Sequence, residues 1–68
     1  MRAYRFITGD DNSGFCHKVT AALAKGWELH GPPTYAYDGA NGGMRCGQAV
    51  VKDVPDTEYS PDLELGDL

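Results

Sequence analysis

Trp27-Glu28-Leu29-His30, then Gly31-Pro32-Pro33, then Thr34-Tyr35-Ala36-Tyr37: the reading of this stretch decides the fold. Apolar and polar residues alternate on both sides of the proline pair, so the stretch reads as one strand with a bulge or kink in its middle. Proline has no N–H to give to a ladder, and that sends the strand to a sheet edge. Downstream, Asp38-Gly39-Ala40-Asn41-Gly42-Gly43 supplies the turn residues of a hairpin. Met44 to Asp53 then reads as a third strand, strongest at Gln48-Ala49-Val50-Val51. Upstream, Phe15, Cys16, Val19, Ala22 and Leu23 recur at helical spacing between Ser13 and Lys25. Asp11, Asn12 or Ser13 can cap that helix, and Gly26 suits a left-handed residue at its end. Arg2 to Thr8 reads as a first strand, with Tyr4, Phe6 and Thr8 on one face and Ala3, Arg5 and Ile7 on the other.

The order is β-α-β-β. The hairpin makes the second and third strands antiparallel, and the third is the most apolar and unbroken, so it belongs in the centre. The expectation is an α+β domain: a three-stranded antiparallel sheet of order 1-3-2 with one helix packed on one face. It covers residues 1–54, and residues 55–68 form an acidic, flexible tail in which no periodic face survives Val54-Pro55.

Sixty-eight residues hold one small domain, too short for a large enclosed active site or a dinucleotide-binding unit. A chain of this size buries only about 60% of its unfolded surface. The net charge of −4 is unevenly distributed. Residues 1–52 carry six bases against four acids, a balance of +2, while residues 53–68 carry six acids and no base. A weakly basic domain with an acidic extension is a poor electrostatic footprint for phosphates, so a nucleic-acid partner is not expected. There is no run of eighteen apolar residues to span a membrane and no apolar stretch after Met1-Arg2-Ala3-Tyr4-Arg5 to make a signal peptide. Two cysteines are too few for a disulfide scaffold. These features together lead to the expectation of a cytoplasmic protein with reduced thiols.

Four segments carry a family resemblance: Tyr4-Arg5-Phe6-Ile7-Thr8-Gly9, Phe15-Cys16-His17-Lys18-Val19, Gly26-Trp27-Glu28-Leu29-His30-Gly31 and Gly47-Gln48-Ala49-Val50-Val51-Lys52. Together they resemble the small bacterial family called domain of unknown function 1737, over roughly residues 4 to 54. The resemblance implies a compact β-α-β-β domain and transfers no catalytic residue.

Candidate chemistry is sparse. Cys16, His17, His30 and Cys46 are metal-ligand types, but paired zinc spacing is missing and adjacent helical residues point about 100° apart. Cys16 is expected as a small core residue, His17 and His30 as solvated ones. A Cys16–His17 nucleophile fails because the two side chains diverge. The Gly39–Gly43 loop leads into a strand, whereas a phosphate-binding loop opens a helix. No catalytic residue, cofactor or metal is therefore assigned, and the chain is read as non-enzymatic.

The remaining signal is packing. Apolar residues stand at both parities of the strands, and a single helix covers only one face. The other face needs a second copy of the chain or a folded-back tail bearing Val54, Tyr59, Leu63 and Leu65. The first is favoured, because self-association also helps a core expected to give only ~3–5 kcal/mol. The leading function is thus a self-associating protein-interaction module, a homodimer or small homo-oligomer with a protein partner. Trp27, Tyr35, Tyr37, Tyr59, Leu63 and Leu65 are its candidate contact residues. The alternative is a small-ligand-binding oligomer that stacks an aromatic ligand on Trp27, Tyr35 and Tyr37 between subunits.

Overall fold

A computed structural model describes residues 1–68. The chain runs β1 (Arg2–Asp10), α1 (Ser13–Ala24), β2 (Glu28–Leu29), β3 (Thr34–Asp38) and β4 (Gly43–Asp53), and ends in a 3-10 turn at Leu65–Asp67. The molecule is α+β, with one helix on an antiparallel sheet. β4 lies at the centre, and β1 pairs with it along the whole length of β1, from Arg2↔Asp53 to Asp10↔Arg45.

The expected order of three strands becomes a sheet of four. The second strand is two segments, β2 and β3, and both pair with the same side of β4. The Gly31-Pro32-Pro33 step divides them. Four residues, 30 to 33, span the gap between Leu29↔Val50 and Thr34↔Gly47, whereas β4 crosses it with two, Gln48 and Ala49. His30 still donates to the Ala49 carbonyl at 2.9 Å before the chain leaves the ladder. Gly31 turns it out with φ at +75°, a conformation open to glycine. The buried Gln48 side chain fills the breach, its Nε2 donating to the Gly31 carbonyl at 3.1 Å and to the Ala49 carbonyl at 2.9 Å.

Asn12 caps α1, accepting from the Gly14 N–H at 2.9 Å. Gly26, with φ at +94°, ends it: Gly26 N–H donates to Leu23 and Trp27 N–H to Ala22, the paired bonds of a glycine-terminated helix. That turn swings Trp27 under the helix, where it is 2% exposed and packs in a cluster with Ala3, Ile7, Ala22 and Val50. Phe15 and Val19 complete the helix side of this core. Cys16 is exposed and not a core residue as its spacing suggested. Phe15, Val19 and Ala22 fall within about 60° of one another around the helix, and Cys16 lies roughly 100° from Phe15.

Candidate functional site

The two faces of the sheet differ sharply. Odd residues of β1 (Ala3, Ile7, Gly9) are buried toward the helix, and even ones face away. On that open face β1 presents Arg2, Tyr4, Phe6, Thr8 and Asp10, and β4 presents Asp53, Val51, Ala49, Gly47 and Arg45 opposite them. Tyr4 is 54% and Phe6 49% exposed. Phe6 lies over Gly47, close enough that a Cβ there would collide with its ring and with the Thr34 hydroxyl. An ion pair closes each end of this apolar stripe: Arg2–Asp53 at 2.9 Å and Arg45–Asp10 at 3.0 Å.

Beyond the Asp10–Arg45 pair lies an open polar depression of about 660 Å³, lined by Asp10, Asp11, Asn41, Gly43, Met44 and Arg45. The Tyr35 hydroxyl donates to Asp11 Oδ2 at 2.6 Å next to it. That bond holds the Tyr35 proton, and its pKa lies above the ordinary 10.0. Burial pushes the Cys46 thiol up, and the charges of Asp11 and Cys16 push it the same way. Both cysteines are free thiols. Nowhere in the chain do three or more His, Cys, Asp or Glu side chains gather around a common point for a metal ion.

The contact residues expected from sequence are dispersed. Tyr35 and Tyr37 are exposed on β3, and Tyr59 is exposed beside Tyr4 and Met1 in an apolar hollow of about 360 Å³. Trp27 is a correction: it is a core residue, its indole flanked by the Arg5 guanidinium at 5.3 Å and the Lys52 ammonium at 5.9 Å. Its Nε1 is buried without a hydrogen-bond partner. The strand reading put Trp27 on an alternating face, but the helix-ending turn at Gly26 decides where it points. Leu63 is half-buried in the tail.

Leu65 and Leu68 pack against the core cluster on the helix side of the sheet, so these two residues leave the open face uncovered. Lys25 Nζ donates to the Gly66 carbonyl at 3.3 Å, Lys52 Nζ donates to the Leu68 carbonyl, and Arg5 lies beside Gly66. The three bases that hold this segment were not singled out from sequence. Their signal in the sequence was the charge split itself, a domain with a basic balance followed by an acidic run.

A family model described as Domain of unknown function (DUF1737) matches residues 1–53. No curated protein and no solved structure matches the chain.

Proposed function

The chain belongs to the DUF1737 family, and from that premise we propose that it is a binding module that acts by associating with a second copy of itself through the open face of the sheet. Every residue of that face lies within the family-matched span. The observation that carries the reading is the charge order of the stripe. Phe6 is the middle residue of Arg2-Tyr4-Phe6-Thr8-Asp10, and Ala49 is its partner in the ladder. A two-fold axis laid across the strands at this point reverses each strand over its own copy. Arg2 then meets Asp10 of the second copy, Asp53 meets Arg45, and the Phe6 rings meet at the centre. A surface that is complementary to its own reverse is what an isologous interface requires, and sheets packed face to face keep their strands nearly aligned.

β1 and β4 with β2 and β3 beside them present roughly 30 by 14 Å, near 400 Å² a side, which is below the size of a stable specific interface and in the range of transient contacts. The association is therefore weak and concentration-dependent. Phe6→Glu sets a carboxylate at the centre of the stripe and leaves the helix-side core untouched. Sedimentation velocity across a concentration series is expected to show a monomer–dimer equilibrium for the parent chain and a monomer for Phe6→Glu, with identical circular dichroism. A parent chain that stays monomeric at millimolar concentration removes the reading. Absorbance outside the protein band in the purified sample would favour a ligand-holding oligomer instead.

A further inference from the structure

The helix-side surface that receives Leu65 to Leu68 is a groove with a definite chemistry. The segment packs against the core cluster that holds Ala3 and Trp27, and Arg5, Lys25 and Lys52 stand around it. All these residues lie within the family-matched span, whereas the segment that fills the groove lies outside it. Two leucines three positions apart pack against the core cluster, Lys25 and Lys52 donate to main-chain oxygens of Gly66 and Leu68, and Arg5 lies beside Gly66, in a segment that holds five acids between Asp56 and Asp67. The bonds from Lys25 and Lys52 go to main-chain oxygens, so the acids of the segment act through the general field of the three bases and not through a paired side chain.

We propose that this groove is a recognition site for an acidic segment of a partner protein bearing two leucines at that spacing, and that the chain's own tail is its tethered occupant. Charge complementarity supports the assignment: residues 1–52 balance at +2, three of their six bases lie around the groove, and residues 55–68 carry five acids and no base. A tethered tail competes at an effective concentration in the millimolar range, so a free partner segment enters only when it binds better than the tail or when the tail is displaced. The bases of the groove are on the helix side of the sheet, Leu65 also lines the hollow at Tyr4 and Tyr59, and Phe6→Glu, which leaves the leucines in place, separates the assignment from self-association.

The test uses the full chain and a labelled synthetic peptide of residues 57–68, followed by fluorescence anisotropy. With Leu65→Asp and Leu68→Asp together the tail is released, and the peptide is expected to bind at least tenfold more tightly than it does to the parent chain. Adding Lys52→Glu to the released chain is expected to abolish that binding, with circular dichroism unchanged. The single substitution Leu68→Ser, milder toward folding, is expected to give an intermediate affinity. A folded released chain that does not take the peptide overturns the assignment, as does binding indifferent to Lys52→Glu. Assembly of the parent chain that vanishes with the two leucine substitutions but survives Phe6→Glu would mean that a second copy's tail fills the groove, and would overturn it as well.

Discussion

Gly47 shows how much one hydrogen atom can decide. In the ladder it stands opposite Thr8 on one side and Thr34 on the other. The Phe6 ring lies over it from the diagonal position, and a Cβ would collide with that ring and the Thr34 hydroxyl. An aromatic ring laid over a strand glycine compensates for the side chain the glycine lacks. Gly47→Ala must therefore lift Phe6 from β4 or push β3 outward. The expected loss is about 1–3 kcal/mol, as for other overpacked sites, read as a lowered midpoint in urea unfolding. Because the displaced ring is the centre of the proposed contact, the same variant should also lower the dimer fraction in sedimentation.

At the scale of elements, the breach between β2 and β3 is the feature with the largest consequence. Gln48 is the buried polar side chain of β4, and its amide replaces the ladder bond that the bulged segment cannot make. Gln48→Leu keeps the volume and leaves the Gly31 carbonyl without that donor. A loss of about 1–3 kcal/mol is expected, seen as a lower thermal midpoint, with faster amide exchange at His30. The β3–β4 hairpin has a comparable tie at its tip. Asp38 accepts from the Asn41 side chain at 2.7 Å and the Ala40 N–H at 3.0 Å. Those bonds, the Asn41 side chain first, hold its pKa below the ordinary 3.8. A lowered folded pKa means that the stabilisation is complete above the unfolded value and is lost as pH falls through the folded one. The Ala40 amide signal is accordingly expected to shift at a lower pH than that of an amide bonded to an ordinary aspartate, and Asp38→Asn should abolish the shift. Much of this layer was legible in the sequence. A helix cap within Asp11, Asn12 and Ser13, the glycine at the helix end, the edge position of the proline-bearing strand and the central β4 each follow from a local rule, and the structure selects Asn12 among the three caps. The split into β2 and β3 was not legible as two strands, because a proline pair marks a break without stating how many partner residues it skips. The direction of Trp27 was not legible either, since it depends on the paired bonds that end α1 and not on strand alternation. The basic rim that holds the tail is contributed by three elements far apart in sequence, and no local pattern joins them.

For the whole molecule, the open face makes a prediction about charge that a purely apolar contact would not. Substituting Arg2→Asp sets like charges opposite each other at both ends of the proposed two-fold arrangement. Exposed ion pairs are worth roughly 0.2–1 kcal/mol each, and the symmetry counts each twice, so the dimer constant should weaken by about two- to thirtyfold. Adding Asp10→Arg restores the cross-copy pairing while leaving each chain's own pairs to Asp53 and Arg45 reversed. Recovery of association in the double variant, measured by sedimentation, separates the proposed arrangement from one that uses only Tyr4 and Phe6.

The broken edge has a further consequence, for what this sheet can become. Fibres built by adding strands need two usable borders, one on each side, so that every arriving chain offers a new one. Here β1 is a long border, its Thr8 carbonyl already taken by Lys18 Nζ at 3.0 Å. The opposite border is β2 and β3, interrupted by two prolines and a turned-out glycine. Two molecules can meet border to border only once, through β1, and the joined sheet then shows proline-broken strands at both ends. Growth by strand addition stops at a pair. The residues that make the second strand irregular thus also keep a marginally sized domain from polymerising.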